Sequence, residues 1–392
     1  MKCNFFLSYL VILPLLSLAG CKQAPEEYAT EDHFSSATPS AIDRPLSPTI
    51  NPLQNLWFLF QESGETTLNQ YSLTSKKWRY QILPFGSDAK IFPDSQSKNL
   101  FILQRMQRDA LYLFNPQTQQ IVHEYTLPEG INPQSVYRDP QGLVWLTCYE
   151  TNDVMILSED LSREVTRISL DSLKDDSDPS AELGHIAPLD KEARFMGVLA
   201  QRIQRGPLGR WIPALQGGIA VIDRQTKQVL HTYLLPLSNP HNFHFSPERQ
   251  QVTVMGSGDL TLNFQSAGKV LVLNDKFYER SSLDENDIEQ NISFSKQELL
   301  LDADWTAQDE WLALIWKPKK QKTCLQQGLK ELFCEKDEMV GYVMGQMTIA
   351  QSSVYGNLST GLNHFLWKYD LHTQTLTKMP LTHSFYSFTA SE

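Results

Sequence analysis

Five polar side chains stand at matching places in successive stretches of the chain: Lys90, Gln134, His185, His241 and Asp302. Each precedes an apolar run by a similar distance, with an uncertainty of about two residues. If those stretches turn about one axis, the five meet at a common mouth. A ring of donors and acceptors is what a small polar ligand or a bound ion requires. His185 and His241, with His244 nearby, have the ring nitrogens that ligate transition metals. They fall in separate stretches without a ligand-spaced pair, so neither a metal nor any other cofactor is assigned. The alternative chemistry is a channel-mouth hydrolase or lyase in which His185, His241 and Asp302 act on a sugar or lactone.

Two other stretches carry charge in a pattern. Asp171, Asp175, Asp176, Asp178 and Glu182 could attract calcium, but they lack the Gly-centred spacing of a calcium loop, so a solvated loop is the simpler reading. The following loop holds Arg202, Arg205, Arg210 and Trp211, residue types favoured at protein contacts, and it could equally pair with the acidic stretch beside it. No nucleophile elbow, phosphate-cradling loop or HExxH motif is present, and Gly256-Ser257-Gly258-Asp259 reads as a turn. The lysines at 317, 319 and 320 read as a solvated loop.

The elements that must position these residues repeat. Gly218 to Pro236 reads as strand, turn, strand: Asp223 and Thr226 supply turn-capping oxygens, and apolar residues alternate on either side. Copies have their turns at Ser72, Asn115, Glu159, Asn274 and Asp370, the Asn274 copy with Phe277 where a hydroxyl is expected. The spacing is near the roughly 40 to 50 residues of a four-stranded propeller blade. Between Asn274 and Asp370 the gap is about two periods. Either a further blade lies there, or one blade carries a long insertion at about 317–362.

Apolar strands at Leu56–Phe60, Asn99–Leu103, Leu143–Cys148, Phe195–Ala200, Gln251–Met255 and Trp311–Trp316 precede the turn-bearing hairpins. Inner strands lie ahead of most of them, as in Asn132–Tyr137 and Asn239–His244. The pattern predicts an all-β propeller of four-stranded blades, with six recognisable repeats and seven possible. The first repeat lacks an inner strand, and Ser384–Thr389 alternates like a strand with no partner of its own. It is predicted to supply the missing strand and seal the ring.

The amino terminus is of a different kind. Lys2 followed by the apolar stretch Phe5–Leu16 is too short for a spanning helix and reads as a signal peptide over residues 1–20. Residues 21–52 are rich in Pro, Ser and Thr and read as a flexible tether to the propeller at 53–392. Asp and Glu number 45 against 34 Lys and Arg, with no basic cluster, which argues against nucleic acid as a partner. Cys148 reads as a buried free thiol. Cys324 and Cys334, flanking a helix-like segment Leu325–Phe333, read as a disulfide of an oxidising compartment.

The tetrapeptide Leu18-Ala19-Gly20-Cys21 resembles the bacterial lipobox, which implies lipidation at Cys21. Lys22 after it, by analogy with Gram-negative sorting, favours the outer membrane. Gly218 to Thr226, with the Asn239-Pro240 that follows, resembles YVTN-type β-propellers, although Val144-Trp145-Leu146-Thr147 stands where the YVTN tetrapeptide would. Lipobox, tether and propeller together resemble bacterial surface lipoproteins. That resemblance implies the fold and the lipid anchor but no activity; the expected function is that of a monomeric binding or interaction module, which uses one face of the ring and its long loops to contact an envelope protein, a surface polymer or a ligand. An accessory that captures ligand beside an outer-membrane transporter is a third expectation.

Overall fold

The computed structural model describes residues 55–391 except 63–64, 106–107, 176–177, 206–210, 259–265, 275, 296–297, 307–309, 337–346, 351, 361–362 and 382–384. The lipobox-like tetrapeptide and the tether lie outside the described residues. There are seven four-stranded antiparallel sheets. Short 3-10 turns are the helical segments among the described residues, and none contains an α-helix.

Each sheet is one blade, numbered in chain order: blade 1 spans Asn55–Phe85 with Phe385–Ser391, blade 2 Ala89–Thr126, blade 3 Pro133–Ser169, blade 4 Leu183–Leu235, blade 5 Pro240–Ser293, blade 6 Leu299–Lys336 and blade 7 Met347–Leu381. The turn joining a blade's outer strands is held by a short oxygen side chain. Asp223 Oδ1 accepts from the amides of Gln225 and Thr226 at 2.9 and 2.8 Å, and Asn115 Oδ1 does so from Gln117 and Thr118. Asp370 repeats the arrangement with His372 and Thr373, and Ser72 with Ser75. The residue closing each of these turns is left-handed: Lys76, Gln119, Lys227 and Gln374 have φ between 53° and 61°. Such turns bring two short strands back antiparallel without glycine. In blade 3 the turn differs from the sequence expectation. It starts at Ser158, and Asp160 rather than Glu159 supplies the capping oxygen.

Blades stack through their apolar faces. Phe101, Leu103 and Leu111 of blade 2 pack with Val136, Leu146 and Met155 of blade 3, all buried. Each such side chain contributes about 1.5 to 3 kcal/mol. Cys148 is part of this layer and is free; burial pushes its thiol up to about 12, so it is an inert packing group.

The ring closes as expected. Phe385–Ser391 pairs antiparallel with Asn55–Glu62, so the inner strand of blade 1 comes from the other end of the propeller. Phe385 and Phe388 lie 4.9 and 5.3 Å from Phe58, edge-on and stacked respectively.

The gap between Asn274 and Asp370 holds a further blade. Lys322–Gln327 and Lys330–Lys336 are the outer strands of blade 6, while Met347–Ala350 and Ser353–Thr360 begin blade 7. The described residues of the span expected as an insertion are therefore propeller wall. Nor is the segment between Cys324 and Cys334 helical: the two cysteines face each other across a hairpin and are disulfide-bonded. Gly328, at φ 57°, makes the tight turn. Lys317 is likewise no solvated residue. It is buried and bonded to Glu298 and Glu331, at 3.3 and 2.6 Å.

Candidate functional site

Inner strands reach the axis through a repeated entry. Asp88, Asn132, Glu182 and Asn239 each stand at or just before the start of an inner strand with φ between 50° and 60°. The carbonyl of each accepts an amide from the residue just past the second strand: Arg105, Tyr149, Gln201 and Ser257 in turn. Non-glycine residues enter this region at a cost, and it recurs here where the chain bends toward the axis. Past the bend, the inner strands of blades 3 to 6 each shift register by one residue against the second strand. The shifts fall at Gln134-Ser135, Gly184-His185, His241 and Leu301. A bulge of this kind twists the strand locally and re-aims a side chain. Here the shifted residue is a candidate channel residue or its neighbour.

The five residues converge. Lys90 Nζ donates to Gln134 Oε1 at 2.9 Å, from blade 2 to blade 3. Its charge is felt by His185 and His241 on blades 4 and 5, and it senses Asp302 on blade 6, so these side chains surround one axis. His244 belongs to the same group, since it acts on His185. Each is half-buried, apart from Gln134, which is buried.

Enclosure decides their charge states. Burial, then the Arg105 charge beside it, lowers Lys90 to about 7. Burial lowers His185 to about 3 and His241 to about 4, so both imidazoles are neutral near pH 7. Burial raises Asp302 to about 7 and Asp304 to about 6. Groups displaced in this way by enclosure in a cleft are a recognised signature of a functional site.

The site has partners beyond the five. Arg105 donates to the same Gln134 oxygen at 2.6 Å and forms an ion pair with Asp88. Ser257 Oγ lies 3.0 Å from His241 Nδ1, while His241 Nε2 is buried and has no hydrogen-bond partner. Asn239 Oδ1 is buried and unpartnered in the same blade. One tier further along the strands, His244 stacks on Trp305 at 4.9 Å, beside Asp304. The sequence reading missed Arg105, Asp88, Asn239, Ser257 and Asp304. Ser257 lies in the stretch read only as a turn, and Asp304 alone gave a signal, being two residues from Asp302 on a period-two strand.

Some of these groups also hold the wall together. Asp302 Oδ2 and Asp304 Oδ2 accept from the amides of Met347 and Ile349 on blade 7, at 2.7 and 3.0 Å. Ser387 serves Ile91, and Ser135 serves Ile186, in the same manner. Side chains thus bridge inner strands that share no ladder.

The charged loops of blade 4 pair with each other. Arg202 Nη2 lies 3.1 Å from Asp175 Oδ2 and its other nitrogens reach the carbonyls of Leu173 and Gln216, so it is an internal tie. The backbone forms a two-stranded hairpin, Ile203–Arg205 with Trp211–Pro213. Arg210 and the side chains of Arg205 and Trp211 lie outside the described residues. The acidic stretch is not wholly solvated either. Asp178 and Glu182 are buried, and Glu182, raised to about 8 by burial, accepts from the Ile203 amide at 2.8 Å. Among the described residues one group has metal-ligand proximity, Cys324, Glu331 and Cys334, and its two sulfurs are bonded to each other.

Fold and site together define a seven-bladed β-propeller with a polar central channel. No protein-family model matches the sequence, and no curated protein does. Solved propellers do match in structure. The chain is similar to the periplasmic gluconolactonase PpgL of Pseudomonas aeruginosa at 11% identity, covering 85% of this chain and 98% of that one, TM-score 0.56. It is similar to a putative 6-phosphogluconolactonase of Bacteroides fragilis at 8% identity, covering 86% and 97%, TM-score 0.57. Dihydro-heme d1 dehydrogenase NirN in complex with DHE is a third, at 15% identity, covering 88% and 77%, TM-score 0.52. At such identities the likeness is one of fold.

Proposed function

We propose that this chain is a lipid-anchored β-propeller of a bacterial envelope whose central channel binds a small polar ligand. The lipobox-like tetrapeptide supports attachment through Cys21, with the 21–52 stretch as spacer, and Lys22 after the cysteine favours the outer membrane as the site. One observation carries the binding role: Lys90, Gln134, His185, His241 and Asp302, from five blades, gather about one axis, and burial shifts the ionisable ones among them. Replacing His185 and His241 by Ala should abolish ligand affinity in a thermal-shift screen of small polar metabolites. Unchanged ligand shifts, together with loss of partner pulldown on replacing Arg205 and Trp211, would transfer the function to a protein or polymer contact at the hairpin.

A second reading has its own support. Lys90 and Asp302 both titrate near neutral pH, and the neutral His241 ring has a buried, unpartnered Nε2. Such groups suit proton transfer during hydrolysis or cleavage of a sugar or lactone. Two of the structural neighbours bear lactonase names. Turnover of sugar lactones by the wild type but not by His241→Ala would establish it.

A further inference from the structure

We infer that the channel ligand carries an oxyanion, a carboxylate or a phosphate on a hydroxylated frame, and that Lys90 is its anchor. The inference rests on the channel being the binding site. An ammonium has three donors. Among the described residues Lys90 makes its hydrogen bond to one neutral acceptor, Gln134 Oε1, and that oxygen also receives Arg105. Both lone pairs of the amide oxygen are then committed to cations. The two cations differ in what balances them. Arg105 has the Asp88 carboxylate and carbonyl against it, whereas Lys90 has no carboxylate in contact among the described residues. Asp88 and Asp302 favour its charge, but burial and Arg105 oppose it more strongly. A ligand oxyanion beside Nζ would supply the counter-charge that no neighbouring carboxylate among the described residues provides by contact. The buried, unpartnered His241 Nε2 and Asn239 Oδ1 on blade 5 are suited to ligand hydroxyls.

The pH dependence follows from every charged group that faces Lys90. As pH rises through 7, Lys90 loses its charge while Asp302 gains one, and both changes weaken an anion. Asp304 adds its negative charge at slightly lower pH. His185 and His241 are neutral throughout, and Arg105 stays paired with Asp88. Loss of the Lys90 proton alone should therefore lower affinity by up to about tenfold per pH unit above that point, and ionisation of Asp302 adds to it.

Titration calorimetry on the full chain, at pH 6 and pH 9, with glucuronate, glucose and inorganic phosphate as probes, tests this. The expected result is binding of glucuronate, phosphate or both at pH 6, at least about tenfold weaker at pH 9 and in Lys90→Met. Glucose should bind more weakly than glucuronate, and Lys330→Met, a change at an exposed lysine, should match the wild type. Lys90→Gln provides the same loss should the Met variant fold poorly. Comparing glucuronate with phosphate tells which oxyanion the site takes. Equal affinity for glucose and glucuronate, full affinity in Lys90→Met, a flat pH profile, or no binding of either anion overturns the inference. Glucose binding as tight as that of glucuronate, and lost in His241→Ala, would overturn the anion alone and leave the channel-binding reading standing; no binding by any probe, with no effect of the His185 and His241 variants on metabolite shifts, would remove both.

Discussion

Cutting one aromatic ring from the closing strand should loosen the whole propeller. Phe385 is 1% exposed, with its ring 4.9 Å from Phe58, 5.9 Å from Phe60 and 5.1 Å from Phe388. Truncating a fully buried Phe to Ala costs about 3 to 5 kcal/mol, from lost transfer energy and the cavity left behind. That is a large fraction of the roughly 5 to 15 kcal/mol that keeps a domain folded. Each kcal/mol shifts the midpoint by about 2 to 4 °C in domains of 150 to 250 residues, and by less in larger ones. Phe385→Ala should thus lower the melting temperature by roughly 4 to 7 °C. Removing the chain from Phe385 onward should do more, because the pairing from Asn55 to Phe60 goes with it and leaves an open edge. Scanning calorimetry of the wild type, Phe385→Ala and the truncated chain reads the effect directly. A truncated chain that melts with the wild type would refute closure by this strand; a normal Phe385→Ala would refute the weight given to the aromatic cluster.

Two further outcomes follow from the structure. Glu182 has a folded-state pKa of about 8, above its ordinary 4.5, so its contribution is present below pH 4.5 and is lost as pH rises to 8. Glu182→Gln, which keeps an acceptor for the Ile203 amide, should flatten the melting temperature across that window, where the wild type gives up as much as a few kcal/mol; parallel profiles for the two proteins would contradict this. A Cβ at Gly217 would lie 2.3 Å from Pro240 Cδ and 2.4 Å from its Cγ, in a ring that cannot rotate away. Gly217→Ala should therefore destabilise by about 1 to 3 kcal/mol in urea unfolding, and an unchanged midpoint would show that blades 4 and 5 are free to separate.

Much of this architecture was legible because its turns are chemical as well as geometric. Asp223, Asn115 and Asp370 announce their hairpins by the amides they accept, and the closing strand announced itself by lacking a neighbour. Blade 6 concealed itself for a physical reason: Leu325, Leu329, Leu332 and Phe333 fall at helical intervals. They nonetheless lie on a hairpin, and Gly328 was the one residue that marked it. The inner half of blade 7 was hidden because its second strand carries Gly356, Asn357, Ser359 and Thr360 in place of an apolar run, while the Asp370 turn marked the outer half. At the channel, residues at matched positions could be counted off from repeats. Arg105, Ser257 and Asn239 could not, because their place depends on left-handed entries and register shifts that leave no mark on composition. Arg202 was ambiguous between a partner and its acidic neighbour, and only the distance to Asp175 decided it.

Joining the strand at 385–391 to the one at 55–62 has a consequence for synthesis. Most blades can form from contiguous chain as it emerges, yet blade 1 waits for a segment translated after all the others. Until then a nascent chain presents a half-finished sheet able to recruit strands from a second copy, and its safety during that interval rests on how quickly the tail arrives or on what shields the gap meanwhile.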